Sequence, residues 1–119
     1  MTKQKRLTLP KSRRLIHPAE FDRVKKHGRV ERGKFIVLGF LQADGTIRAG
    51  FVTSRAIGRA VVRNRVRRRL REIVRKHQNE IVLGTWAVTI ARAAAASATY
   101  QELEGEWLRL AGRASILSA

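Results

Sequence analysis

The chain has 119 residues and carries 26 lysines and arginines against nine acidic residues, a formal net charge of +17. Its 44% content of hydrophobic residues is enough to build a core, which excludes a fully disordered chain, and a charge this extreme indicates a polyanionic partner, nucleic acid before an anionic membrane. The chain has no cysteine and no apolar stretch near the ~18 residues of a membrane span, which excludes disulfides, thiolate metal sites and a transmembrane segment.

Positive charge is concentrated in two segments. Residues 1–34 hold twelve basic residues, and residues 55–76 hold ten more with Glu72 as the only acid. The basic N-terminus is not followed by an apolar stretch of the secretory type, so we expect a cytoplasmic protein. The two basic segments are expected to contact the polyanion, and the C-terminal third is expected to be mainly scaffold.

The N-terminal segment, residues 1–16, is basic and partly irregular, because Pro10 interrupts any continuous helix. Residues 17–115 are expected to form a single RNA-binding domain, since no internal repeat divides them. A proline followed by two acids predicts a first helix over 18–27, with Gly28 as its C′ glycine.

Three strands are predicted from β-branched and aromatic runs. The first two cover residues 34–42 and 47–53, and the Asp44-Gly45 turn between them predicts an antiparallel hairpin. The third covers residues 85–91 and is expected to be largely buried.

Two further helices are predicted, over residues 58–77 and 100–112, the second with Ser97 or Thr99 as its N-cap. The order is therefore helix, strand, strand, helix, strand, helix. This order predicts a small α+β protein, an α/β sandwich with helices packed on one face of a short sheet. The long helix has an apolar stripe at helical spacing, formed by Val62, Val66, Leu70, Ile73 and Val74.

The arginines of the long helix indicate a phosphate-rich partner. Arg63, Arg67 and Arg71 recur every four residues, and few acids are available to pair with them. Guanidinium suits phosphate because it donates two parallel hydrogen bonds and stays charged. Asn64 can donate and accept at once, which suits a base edge or a 2′-hydroxyl. A solvated helix face is the alternative, but ten basic residues against one acid favour nucleic-acid contact.

The segment Gly58–Glu72, GRAVVRNRVRRRLRE, resembles the pattern G-x-A-V-x-R-N-x-x-K-R-x-x-R of the bacterial ribonuclease P protein subunit. Shorter matches are FDRV at 21–24, GFVTS at 50–54 and the Ala-Arg pair at 91–92. The resemblance covers about residues 6–112 and follows the order of the family's motifs.

The resemblance implies a fold like the second domain of ribosomal protein S5, with a left-handed βαβ crossover that opposes the usual rule. It also implies a subunit of a ribonucleoprotein endoribonuclease, ribonuclease P, which removes the 5′ leader of precursor tRNA. In that family the RNA subunit performs the hydrolysis and holds the divalent metal, Mg²⁺, so the protein alone is not expected to be catalytic or to bind a metal. The implied partners are ribonuclease P RNA and precursor tRNA, with no membrane and no DNA.

Site residues follow from the resemblance position by position. Phe21 is implied to stack on an unpaired base of the leader, and the alternative is an ordinary core phenylalanine. Lys25, Gly39 and Ala56 depart from the family pattern, and Lys25 predicts a more electrostatic grip on the leader. The residues implied to bind the RNA subunit are Arg59, Arg63, Asn64, Arg65, Arg67, Arg68 and Arg71. Those implied to line the leader-binding cleft are Phe21, Lys25, Ile36, Phe40, Val52, Arg55 and Arg92.

Nuclease chemistry by the protein itself would need clustered carboxylates or acid–base groups. The nine acids are scattered, and His17, His27 and His77 lack ligand spacing and are expected at helix ends. Two other classes stay open here. A ribosomal structural protein would share the charge and the fold without needing a leader cleft. A DNA-binding transcription factor would need a dimer with half-site spacing, of which the sequence holds no sign.

Overall fold

The computed structural model describes residues 8–118. The basic residues at positions 3, 5 and 6, which are expected to contact the polyanion, lie outside the described part. Within that part the chain forms three α-helices and four β-strands. The predicted helices and strands all form, with ends within two residues of those expected. In chain order the elements are α1 Pro18–His27, β1 Arg29–Arg32, β2 Ile36–Gln42, β3 Arg48–Val52, α2 Ala60–His77, β4 Thr85–Ala91 and α3 Tyr100–Arg113.

The strands form one sheet in the order β1-β2-β4-β3, so the predicted hairpin of β2 and β3 is wrong. β4 lies between them, antiparallel to β2 and parallel to β3. The chain does turn at Asp44-Gly45, where Gly45 has a φ of +91°, but β3 then lies on the far side of β4. β4 takes the centre because residues 85–89 are buried, and a strand covered on both faces belongs inside the sheet. The connection β3–α2–β4 joins parallel neighbours and is the unit to which the implied left-handed crossover refers.

β1 is the strand that the sequence did not predict. It pairs with β2 at the sheet edge and has the sequence Arg-Val-Glu-Arg. Because three of its four residues are charged, it lacks the apolar pattern that predicts a strand. Charged residues are common on edge strands because they prevent pairing with another chain. The other edge, β3, is met by the N-terminal segment, where the Leu15 N–H donates to the Ala49 carbonyl at 2.8 Å.

Helices cover both faces of the sheet, which corrects the expectation of a single covered face. α2 and α3 pack on one face and enclose the main core, whereas α1 packs on the other face over a smaller cluster. The main core includes Ile36, Leu38, Leu70, Leu103 and Trp107. The smaller cluster consists of Leu15, Val24, Trp86 and Val88.

Local contacts explain where two of the helices begin and end. At the start of α3, Thr99 Oγ1 accepts from the Glu102 N–H at 3.1 Å, and Glu102 accepts from the Thr99 N–H at 2.8 Å. α1 ends before Gly28 as predicted, but the φ of Gly28 is −91° rather than left-handed. A Cβ there would overlap the Phe40 carbonyl oxygen, so close approach rather than backbone freedom requires the glycine.

A buried carboxylate ties α3 to the start of β2. Glu106 accepts the backbone N–H groups of Lys34, Phe35 and Ile36 at 2.7 to 2.9 Å. These charge-assisted hydrogen bonds offset the cost of burying the carboxylate. These hydrogen bonds hold α3 on the sheet. The outer faces of α2 remain uncovered. None of the helices in residues 8–118 is long and apolar enough to cross a membrane.

Candidate nucleic-acid interface

α2 buries one apolar face and turns its arginines outward. Val66, Leu70, Ile73 and Val74 are buried in the main core, and Val62 is half-buried beside them, which confirms the predicted stripe. Because this stripe sets the rotation of the helix about its axis, the remaining positions face away from the core.

On the side of α2 nearest the end of β3, two arginines are held by protein oxygens. Arg63 Nη1 donates to the Gly58 carbonyl at 2.9 Å, and Arg67 Nη2 donates to Thr53 Oγ1 at 2.6 Å. Both acceptors are neutral, so the guanidinium groups keep their charge uncompensated while their orientation is restricted. These two arginines are therefore positioned before a partner arrives.

The opposite side of α2 has a matching pair. Arg65 Nη2 donates to the Ala96 carbonyl at 3.0 Å, and Arg69 Nη1 donates to the Ala98 carbonyl at 2.9 Å. Arg69 is absent from the predicted RNA-binding residues, although its position four residues after Arg65 was a usable signal. Both side chains flank a shallow groove that also includes Tyr100.

Between these two rows, Asn64, Arg68 and Arg71 face outward. Arg59, Arg68 and Arg71 make no hydrogen bond or ion pair with any residue in the described part. Glu72, the only acid of α2, is paired with Arg75. None of the six predicted RNA-binding arginines is therefore neutralised by a carboxylate within residues 8–118, and the surface suits a phosphate backbone.

A cleft lies between α1 and its face of the sheet, with exposed aliphatic side chains. Val30, Val52 and Ile90 are 47%, 37% and 37% exposed, which is high for large apolar residues on a sheet. A row of exposed apolar residues at the bottom of a cleft marks a binding surface. The cleft is lined by Phe21, Asp22, Val24, Lys25, Val30, Gly39, Val52, Val88 and Ile90.

Phe21 lies in this cleft as the resemblance implied, and it is also partly a core residue. Its ring is half-buried and packs with the small cluster under α1. The ring rests on Gly50, where an added Cβ would come 2.5 Å from Phe21 Cε1. Lys25, one turn further along α1, is exposed at the rim.

Two predicted cleft residues, Ile36 and Phe40, lie on the other face of the sheet. Side chains alternate along β2, so Gly39 faces α1 whereas its neighbours face α2 and α3. Ile36 is fully buried in the main core, and Phe40 packs against that core. Assigning them to the cleft was wrong. The sequence of β2 is apolar on both faces, so it does not indicate which residues face α1 and which face α2 and α3.

Val52 lines the cleft, whereas the two arginines predicted to line it follow the ends of β3 and β4. Arg55 is exposed in the turn after β3 and is not among the lining residues. Arg92 follows β4 and its Nη1 donates to the Gly33 carbonyl at 2.9 Å. β3 and β4 are parallel, so both arginines emerge at the same end of the sheet as Val52 and Ile90. Lining residues that the prediction omitted include Val30, Val88 and Ile90, and the alternation along β4 was the available signal for the last two.

The start of α1 is fastened to the same sheet face by charge. Arg48 pairs with Glu20, and the guanidinium carbons of Arg23 and Arg48 lie 4.9 and 5.4 Å from the centroid of the Trp86 ring. A backbone hydrogen bond from His17 lowers the pKa of Glu20 most, burial opposes it, and Arg48 lowers it further. This ionised carboxylate therefore stays available to anchor the helix beside the cleft.

The histidines lie at helix ends, as expected from the sequence. His17 precedes α1, His27 is its last residue, and His77 is the last residue of α2. His77 lies between two carboxylates, with Nδ1 2.7 Å from Glu80 Oε2 and Nε2 2.9 Å from Glu104 Oε2. In residues 8–118, no group of three or more histidine, cysteine, aspartate or glutamate side chains is placed to hold a metal ion.

Comparison with known proteins gives one consistent match. The family model Ribonuclease P matches residues 9–115. The ribonuclease P protein component of Acidothermus cellulolyticus is 43% identical over 109 residues, covering 88% of this chain and 90% of that protein. The one from Symbiobacterium thermophilum is 38% identical over 111 residues, covering 92% and 96%.

Solved structures show the same likeness in three dimensions. The RNase P protein of Staphylococcus aureus superposes with a TM-score of 0.83 at 25% identity, covering 91% of this chain and 100% of that one. The RNase P protein of Thermotoga maritima gives a TM-score of 0.76 at 27% identity, covering 84% and 96%.

Proposed function

The chain belongs to the ribonuclease P protein family, and on that premise we propose that α2 binds the RNA subunit while the cleft beside α1 holds the 5′ leader of precursor tRNA. As a ribonuclease P protein component it serves in tRNA 5′ processing, as part of a ribonuclease complex. The family match favours this role over that of a ribosomal structural protein.

The observation that carries the RNA-binding role is the state of the arginines on α2. Six of them lack a carboxylate partner in the described part, although their mutual repulsion opposes folding. Four arginines, including Arg69, are held instead by neutral oxygens, which keeps them charged and oriented. A rigid, uncompensated array of this kind is suited to a folded RNA backbone.

The cleft supports the proposed contact with the leader. Its aliphatic residues and the Phe21 ring offer a surface on which unpaired bases can stack, and stacking tolerates any base sequence. Lys25 at the rim adds a phosphate contact, while Gly39 contributes no side chain and leaves the sheet face open. An unspecific grip of this kind suits a protein that handles many different precursors.

We assign the hydrolysis itself to the RNA subunit and its Mg²⁺, with the protein positioning the substrate. The family resemblance supports this division. We further infer that the protein acts in the cytoplasm, where precursor tRNA is processed. In this role the protein contributes affinity and orientation rather than a reacting group.

Reconstitution tests the proposal. The protein is mixed with a bacterial ribonuclease P RNA and a precursor tRNA at low Mg²⁺, and leader removal is followed on a gel. We expect the protein to stimulate cleavage by the RNA at the mature 5′ end. No stimulation would contradict the proposed role, and cleavage by the protein without the RNA would contradict the assignment of the chemistry.

A further inference from the structure

Asn64 presents hydrogen-bond donors to a partner, because its acceptor atom faces Arg67 and already accepts one hydrogen bond. Arg67 Nη1 donates to Asn64 Oδ1 at 3.0 Å. A guanidinium has no acceptor, so the amide oxygen must be the atom that faces Arg67. The two N–H bonds of the amide therefore point away from Arg67. The sequence suggested a side chain that both donates and accepts, and the fold directs the accepting atom toward Arg67.

Arg67 is itself held from outside the helix. Its other terminal nitrogen, Nη2, donates to Thr53 Oγ1 at 2.6 Å, and Thr53 follows the last residue of β3. One guanidinium thus bridges the end of the edge strand β3 to Asn64 on α2. The hydroxyl of Thr53 restricts the guanidinium, and the guanidinium in turn restricts the amide.

The donors of Asn64 belong to a shallow concavity on the outer face of α2. It is lined by Asn64, Arg67, Arg68 and Arg71, none of which is acidic. Arg68 and Arg71 make no hydrogen bond or ion pair within residues 8–118. A partner group that fits must therefore accept several hydrogen bonds and carry negative charge, which describes the non-bridging oxygens of a phosphodiester.

We propose that this concavity is a seat for one backbone phosphate of the RNA partner, with Asn64 as a donor and Thr53 as its positioning residue. The inference rests on the proposed function and deepens it, since it assigns a single chemical group of the RNA to four named side chains. It also predicts that Asn64 contacts the RNA backbone rather than the edge of a base.

The chain contains a matched control. Arg13 makes the same kind of bridge, with Nε donating to Thr46 Oγ1 and Nη1 to Asn79 Oδ1, both at 3.2 Å. That bridge lies beyond the C-terminal end of α2, outside the proposed seat. Thr46 and Asn79 therefore have the same chemistry as Thr53 and Asn64 without the concavity.

The first experiment measures the dissociation constant for a bacterial ribonuclease P RNA over a range of salt concentrations. We expect Asn64→Ala to weaken binding ~10-fold or more, the range for a hydrogen bond to a charged group. Its salt slope stays unchanged, whereas Arg71→Gln lowers the slope by ~0.7–0.9 because one phosphate contact is lost. Asn79→Ala is expected to stay within ~2-fold of the unmodified protein.

The positioning role of Thr53 is tested by coupling. Thr53→Val keeps the shape but removes the hydroxyl, and we expect ~3–10-fold weaker binding, from one net hydrogen bond, with Thr53→Ser restoring it. The double variant Thr53→Val with Asn64→Ala should lose less affinity than the sum of the two single losses, because Thr53 acts on Asn64 through Arg67. Additive losses of affinity, or an equal loss in Thr46→Val, would show that the Thr53 hydroxyl has only a structural role.

A second probe separates phosphate from base contact. The side-chain amide signals of Asn64 and Asn79 are followed by NMR during titration with inorganic phosphate and, separately, with adenosine. We expect saturable shifts of Asn64 with phosphate and none with adenosine, while Asn79 responds to neither. A response of Asn64 to adenosine alone would overturn the phosphate seat in favour of base recognition.

The outcomes distinguish the inference from the function on which it rests. Failure of the unmodified protein to bind the RNA would contradict the proposed function and the seat together. Normal binding by the unmodified protein, with Asn64→Ala indistinguishable from Asn79→Ala, would overturn the seat alone.

Discussion

The ring of Phe21 lies directly on the backbone of Gly50, with no room for a Cβ between them: an added methyl would come within 2.5 Å of Phe21 Cε1 and 2.7 Å of Cζ. The glycine in β3 therefore sets how closely α1 approaches the sheet. It also sets the position of the one aromatic ring among the lining residues of the cleft.

Gly50→Ala is expected to lower the free energy of unfolding by ~1–3 kcal/mol, because the new methyl displaces the Phe21 ring from a packed position. The matched control is Gly105→Ala in the interior of α3, where a Cβ meets nothing within 4 Å. That change should raise the free energy of unfolding by ~0.5–1 kcal/mol, since glycine weakens a helix relative to alanine. Urea denaturation measures both values, and changes of the same sign would contradict the packing.

Phe21→Leu is expected to weaken binding of precursor tRNA by the reconstituted holoenzyme ~5–100-fold, the range for loss of one base–aromatic stack. Binding of mature tRNA, which lacks the leader, should not change. Phe40→Leu is the control, since Phe40 packs on the opposite face of the sheet. Equal losses in the two variants, or a loss that persists with mature tRNA, would argue against a leader-binding cleft beside α1.

Replacing Arg63 and Arg67 together with alanine is expected to weaken binding to ribonuclease P RNA and flatten its salt dependence. Two lost phosphate contacts lower the slope of log affinity against log salt by ~1.4–1.8. Arg109→Ala with Arg113→Ala removes the same charge from α3, where both arginines pair with glutamates. If that control lowers the slope as much, net charge rather than the face of α2 drives binding.

Glu104→Gln is expected to make the stability of the protein less sensitive to acid. Glu104 Oε2 lies 2.9 Å from His77 Nε2 and 3.2 Å from Lys76 Nζ. The hydrogen bond from His77 lowers the pKa of Glu104 most, burial opposes this, and Lys76 lowers it further. A carboxyl with a lowered folded pKa stabilises fully above its unfolded pKa of ~4.3, and this contribution is lost as the pH falls through the folded pKa.

The unmodified protein should therefore lose more free energy of unfolding than Glu104→Gln between about pH 5 and about pH 3. At neutral pH the variant should be the less stable of the two, and the difference should shrink on acidification. Chemical denaturation at a series of pH values measures both curves. Parallel curves would show that the ion pairs of Glu104 contribute nothing to acid sensitivity.

Sequence reasoning succeeded where the determining residues are close in the chain. The buried stripe of α2 follows from apolar positions three and four residues apart, and the cap of α3 follows from Thr99 and a glutamate three residues later. It failed for β2, where a run that is apolar on both faces gives no sign of which residues face α1. Ile36 and Phe40 were therefore assigned to the wrong side.

The sequence by itself determined the three helices, the strands other than β1, the basic outer faces of α2 and the family, because periodicity, capping and motif order are properties of neighbouring residues. Only the tertiary structure decided that β4 separates β2 from β3, that Gly50 rather than a side chain supports Phe21, and that Thr53 orients Arg67 and through it Asn64. These relations join residues 3 to 55 positions apart, and the last of them depends on how α2 is placed against the end of β3. Such placement follows from the packing of the whole core, which no local pattern encodes.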